Sequence, residues 1–188
     1  MVGVPDSPSF GKRVAAFALD YLLIAAYLVV LAGAGTALTL GPLGGEWQGF
    51  LSSPGRMDLL AFTTTVLPVA LYFALLEGSA GGATWGKRRM RLRVVRVGGE
   101  RLGLGRALLR SAVKFLPWQL AHTCLFGIPG WPVEPQEPPL WVMPGMILTW
   151  VLVGTYVVAI AARRDRRAPH DWIAGSQVVA TDVARAAG

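Results

Sequence analysis

Four stretches of this chain carry almost no charge, and each is long enough to cross a bilayer. They run over Val14–Leu40, Leu59–Leu76, Ala107–Ile128 and Leu140–Ala162. About 18 residues at 1.5 Å per residue cover most of a ~30 Å hydrocarbon layer. The first stretch contains one charge, Asp20, and the second none, with Pro68 in its interior. The third has Arg110 and Lys114 in its first two turns and Pro117 just beyond them; the fourth has Pro144 near its start. The pattern predicts an all-α membrane protein with four transmembrane helices, occupying residues 1–188 as a single domain. With 53% hydrophobic and 15% charged residues and a mean hydropathy of +0.48, a disordered or collagen-like chain is excluded. The lone cysteine, Cys124, falls inside a span, so no disulfide is implied.

Charge placement sets the orientation. The formal charge is +7 with a pI near 10.3. The segment Gly41–Asp58 holds Arg56 against Glu46 and Asp58, and Pro129–Pro139 holds only Glu134 and Glu137. In contrast, Glu77–Arg106 carries a run of arginines from Arg88 to Arg106 behind Lys87. With four spans, all of the 18 basic residues except Arg56 fall on the side of the termini or just inside the third helix. The positive-inside rule then places both termini in the cytoplasm. Trp47, Trp131 and Trp141 flank the outer ends, while Trp85 and Trp172 lie on the basic side. Because the basic patch abuts the spans, its expected partner is anionic lipid headgroups and not nucleic acid. Lys12, Arg13 and Ala32-Gly33-Ala34 imitate a signal peptide, but Asp20 and the length of the apolar run argue against cleavage. The preference for arginine over lysine fits a GC-rich bacterial source and a cell-membrane location.

Asp20 is the residue with the most chemical content. It lies about 9 Å along the helix from Val14, where an unpaired carboxylate costs up to ~3 kcal/mol. It must be protonated or meet a cation. Arg13 stands on nearly the same helical face, about 10 Å away, and Arg110 and Lys114 project from the cytoplasmic end of the third helix. Two readings follow: a clasp pinning the first helix to the third, or a proton or cation site. His122 and Gln119 lie deeper, as interhelical hydrogen-bonding groups or, for His122, a proton relay. Thr63, Thr64 and Thr65 are placed to satisfy carbonyls that Pro68 frees.

Between the second and third spans, Arg89 to Val97 nearly alternates basic and apolar residues, a strand period, and Val97-Gly98-Gly99-Glu100 reads as a turn. Near the C-terminus, Ala168–Trp172 begins a short helix ending at Gly175, and Ser176–Ala180 is strand-like. The two strands are expected to pair as a small cytoplasmic β element. No Gly-x-Gly-x-x-Gly, Walker loop, Cys-x-x-Cys or His-Glu-x-x-His is present. An enzyme, a cofactor and a metal site are therefore not expected.

Four blocks carry a resemblance: Gly11–Asp20; Thr84-Trp85-Gly86-Lys87 with Leu92–Val95; Arg106–Arg110; and Pro169–Gly175 with Val178-Val179. Together they resemble the RDD family of small membrane proteins, named for an arginine, an aspartate in the first helix and a later aspartate. The resemblance implies Arg13, Asp20 and Asp171 as signature residues, with Lys87, Arg110, Lys114 and His122 as supporting candidates. Trp85 stands where an aliphatic residue is usual. Some members are linked to sodium–proton exchange, while others carry the domain as an anchor or accessory. The leading expectation is cation- or proton-coupled transport with Asp20 as the ion-binding carboxylate and Arg13 or Arg110 tuning it. The alternative is a non-transporting scaffold or assembly factor whose basic face binds anionic lipid or a soluble partner. Four helices enclose little space, so a transporter would work as a homo-oligomer, packed through small residues such as Gly33, Ala34, Gly35 and Ala37. Asp171 would orient the cap as a helix N-cap or arginine partner.

Overall fold

A computed structural model describes residues 8–42, 44–131 and 134–181. The chain is mostly helical. A long helix α1 (Phe10–Leu40) is followed by α2 (Gly44–Leu51), α3 (Pro54–Ala61), a π-helical turn (Phe62–Val66) and α4 (Leu67–Gly78). After them come α5 (Trp85–Arg89), β1 (Leu92–Arg96), α6 (Leu104–Phe126), α7 (Val142–Ala162), α8 (Pro169–Ile173) and β2 (Ser176–Ala180). Three helical runs are long and apolar enough to cross a membrane: α1, the continuous run Pro54–Gly78, and α7. Their apolar side chains face outward, with Val29, Val30 and Trp150 at least 67% exposed. Such a surface requires hydrocarbon as solvent. Helix α6 has 23 residues, but Arg106, Arg110 and Lys114 in its early turns keep it outside that set of three. The segment Gly41–Asp58, expected as a loop, instead contains α2 and the start of α3. Pro54 opens α3 in the first turn, where a missing N–H costs nothing, and Asp58 is thereby drawn into a spanning helix.

The residues group into two compact units. Of the described residues, one comprises 8–23, 70–114 and 154–181; the other comprises 24–42, 44–69, 115–131 and 134–153. In the first, Ala16, Leu92, Val94, Leu102, Ala107 and Val178 form the core, with Met90 packed against it. Its sheet is the expected one: β1 and β2 pair antiparallel, with Val94 opposite Val178 at the centre. The turn after β1 forms at Gly98-Gly99, where Gly99 donates to the Arg96 carbonyl at 2.8 Å.

Within this unit the helix–strand segments α5–β1 and α8–β2 are two copies of one design. In each, the third residue of a five-residue helix is a buried charge, Lys87 in one and Asp171 in the other. Two residues past each helix the backbone turns left-handed, at Arg91 (φ 54°) and Gly175 (φ 62°). The strands then carry the same burial alternation. The end bonds match as well: Val97 N–H donates to the Gly175 carbonyl at 3.1 Å, and Thr181 N–H to the Arg91 carbonyl at 2.9 Å. The pairing is therefore symmetric about Val94 and Val178, and it relates the two copies by a local two-fold axis.

Two proline-interrupted helices are repaired by tyrosines. Pro117 has no N–H for the Val113 carbonyl four residues back, and Tyr156 Oη donates to that oxygen at 2.7 Å. In the second unit, Pro68 leaves the Thr64 carbonyl in the same position, and the Tyr27 hydroxyl donates to it. The threonines expected to do this act one turn earlier. Thr63 donates to the Leu59 carbonyl at 2.8 Å and Thr64 to that of Leu60 at 2.6 Å, while Thr65 donates to Ala61. A carbonyl orphaned in hydrocarbon is expensive, so Tyr156→Phe should lower unfolding stability by about 1 kcal/mol. Denaturant titration of the detergent-solubilised protein measures this, with Tyr21→Phe as a control.

Candidate functional site

The first unit gathers most of the chain's signature charges into two adjoining clusters. Asp20 is 0% exposed. Its carboxylate accepts hydrogen bonds from Tyr72 Oη at 2.8 Å, Thr84 Oγ1 at 2.6 Å and the Gly86 N–H at 2.7 Å. Thr84 is also the N-cap of α5, its hydroxyl accepting from the Lys87 N–H. The approach at Gly86 is so close that a Cβ there would lie 2.1 Å from the Ala16 carbonyl oxygen and 2.9 Å from Asp20 Cγ. The expectation that Asp20 meets Arg13, Arg110 or Lys114 is therefore corrected in its partners. Three neutral donors hold it directly, and these hydrogen bonds tie α1 to α4 and to the Thr84–α5 segment. A backbone amide and two hydroxyls stabilise a buried carboxylate without a second ion having to be desolvated.

The arginines converge on Asp171 instead. Arg110 contacts Asp171 Oδ1 through Nε at 3.0 Å and Nη2 at 2.9 Å, a two-pronged pairing. Arg13 Nη2 reaches Oδ2 at 3.3 Å, while its other nitrogen donates to the Arg166 carbonyl. Asp171 Oδ2 further accepts the Ala168 N–H at 3.2 Å, and Ser176 Oγ donates to Oδ1 at 3.1 Å. Asp171 is thus an arginine partner, and it caps α8 from the third helical position rather than from the N-cap. Burial alone would raise its pKa; the guanidinium of Arg110, with Arg13 behind it, holds the carboxyl well below the usual carboxylate range. Beside it, burial pushes His170 down to about 3, so that imidazole is neutral.

Arg110 also pairs through Nη1 with Glu77, whose other oxygen lies 2.9 Å from Lys87 Nζ. Glu77 and Asp171 are each 0% exposed and Arg110 is 2% exposed. Arg110 thus joins Asp171 on α8 to Glu77 on α4, and Lys87 extends the chain of charges to α5. Lys114 sets its ammonium on the face of Phe73, 3.4 Å from the ring centre, a cation–π contact. His122 is not in this unit: it stacks on Phe126 and lies edge-on to Trp118, with Nδ1 buried. Sequence reasoning missed Glu77, Tyr72, Thr84 and Gly86 as partners. Glu77 was assigned to the loop, although it directly follows an uncharged stretch and faces a run of cations. Among the described residues no group of three or more His, Cys, Asp or Glu side chains could hold a metal.

Two outcomes test this geometry. Removing one member of a buried pair leaves the other charge unpaired, so Asp171→Asn should cost about 3 kcal/mol or more. Gly86→Ala should lower the yield of folded protein by collision with Ala16. The pH response has a definite sign. His170 has its ordinary pKa near 6.5 when unfolded and about 3 when folded, so its contribution is intact above pH 6.5 and is lost as the pH falls towards 3. Thermal midpoints in detergent should fall over that interval, and His170→Gln should flatten the profile above pH 4.

No curated protein and no solved structure matches the chain. The RDD family model matches residues 7–175, spanning Arg13, Asp20, Arg110 and Asp171. This chain is a membrane protein of the RDD family.

Proposed function

We propose that the protein is a four-span module of a bacterial cell membrane with both termini in the cytoplasm. It acts as a scaffold or accessory factor whose rigid basic cap rests on anionic headgroups. The observation carrying this reading is the closure of Asp20: three donors occupy its oxygens in an interface with no room for a single Cβ beside it. A carboxylate that alternately loads an ion needs free coordination positions, and the fold already takes three of those on Asp20. The fourth span is α6. Its buried Arg110 is neutralised by Glu77 and Asp171, and no charged residue follows Lys114 through Phe126. Only compensated charge would then enter hydrocarbon.

The cap presents two arginine–tryptophan pairs suited to the headgroup layer. Arg89 lies over Trp85 at 5.5 Å and Arg163 over Trp172 at 4.7 Å, both rings being partly exposed. Such pairs place an apolar ring at the interface with a phosphate-seeking cation above it. A homo-oligomer has support in Gly33 and Gly35, where an added Cβ would meet no described atom within 4 Å. Cation- or proton-coupled transport is the second reading, favoured by a different carboxylate, Asp58, inside a span.

Proteoliposome assays separate the two. Sodium- and potassium-dependent proton flux is measured for the wild type and Asp20→Asn, with monodispersity of both checked in detergent. The scaffold reading expects no flux from well-folded wild type and a variant that loses stability or oligomeric state. Flux from the well-folded wild type overturns it, and its loss in a well-folded Asp20→Asn protein would place the ion at Asp20.

A further inference from the structure

Asp58 differs from the ion-paired carboxylates Glu77 and Asp171. It lies in α3, within the span Pro54–Gly78, and among the described residues no lysine or arginine forms an ion pair with it. Its holders are two side chains of α6. Gln119 Nε2 donates to Asp58 Oδ1 at 3.1 Å, and Thr123 Oγ1 donates to Oδ1 at 3.1 Å and Oδ2 at 3.2 Å. Gln119 Nε2 also donates to Thr123 Oγ1 at 3.1 Å. The other half of the amide, Gln119 Oε1, is buried and has no hydrogen-bond partner among the described residues.

That orphan oxygen marks the cluster as incomplete. With its nitrogen towards Asp58, the amide leaves a buried acceptor unpaired, at a cost of about 1–3 kcal/mol. Turned over, it would set Oε1 against the carboxylate, an arrangement that is favourable only with a positive charge between them. The groups then facing that charge are the two carboxylate oxygens, the amide oxygen and the Thr123 hydroxyl. They are all oxygens, the donors of a hard cation, and they carry one negative charge, which suits a monovalent ion and not a divalent one. Unlike Asp20, Asp58 is only partly buried and is held by side chains that can swivel, with no backbone amide among its partners.

We propose that Asp58, Gln119 and Thr123 form a binding site for an alkali-metal cation, with Gln119 turning its amide over as the ion enters. The site goes beyond the scaffold reading and does not depend on transport, since a bound cation stabilises whatever fold it completes.

The test is thermal unfolding of the purified full chain in detergent, titrated with sodium chloride and balanced by choline chloride at constant ionic strength. A parallel titration uses potassium chloride. The expected result is a saturable rise of about 2–5 °C in the unfolding midpoint with one of the two ions. Asp58→Asn should abolish the rise, and Thr123→Val should shift it at least tenfold in concentration. Thr123→Val carries the test if Asp58→Asn fails to fold. A flat wild-type titration in both salts overturns the site, as does an undiminished response in folded Asp58→Asn or Thr123→Val. Cation-dependent stabilisation without flux upholds both the site and the scaffold reading; stabilisation with flux upholds the site and ends the scaffold reading.

Discussion

A charge removed from water must be met at every lone pair or N–H it carries, and the first unit is organised by that requirement. Arg110 is the clearest instance. Its guanidinium has to satisfy several donors inside a structure where it is 2% exposed. Asp171 takes two of its nitrogens and Glu77 another contact. These two carboxylates fix α8 and α4 against α6, and with them the positions from which the strands start. The small sheet is thus a consequence of the ion pairs as much as of its apolar core. Five residues per strand and a six-residue core cluster bury too little to hold a two-stranded ribbon alone.

Lys87, Glu77, Arg110, Asp171 and Arg13 form, in that order, a connected chain of alternating sign. Networks of this kind contribute less to net stability than to uniqueness: the pairs roughly repay their desolvation, but any wrong arrangement leaves an ion stranded. That division of labour suits a membrane protein, whose apolar helix faces are nearly interchangeable to lipid and specify little by themselves.

Much of this was legible in the chain. Uncharged runs gave the helices to within a few residues, and the alternation after Arg89 gave β1 because a period of two cannot be confused with a helix. Ser176–Ala180 and the turn at Gly98-Gly99 were readable for the same local reasons. What sequence could not supply was the pairing of charges. Asp20 and Arg13 lie on one helical face, so proximity suggested a pair, yet their partners come from residues far along the chain: Gly86 for one and Asp171 for the other. Tyr27 and Tyr156 were invisible for a similar reason. Nothing local marks a tyrosine as the donor to a carbonyl on another helix that a proline has released. Asp58 was misplaced because its neighbours, Ser53, Pro54 and Gly55, look like a loop, whereas Pro54 opens the helix that carries it.

The local two-fold axis through Val94 and Val178 relates two segments that differ at one telling place. Where α5 buries a lysine, α8 buries an aspartate. Strand exchange between two molecules would pair β1 with β1 or β2 with β2, since each segment has the shape of the other. It would then bring two buried lysines, or two buried aspartates, into positions built for opposites. The mismatch in sign disfavours an exchange of strands between copies relative to pairing within one chain.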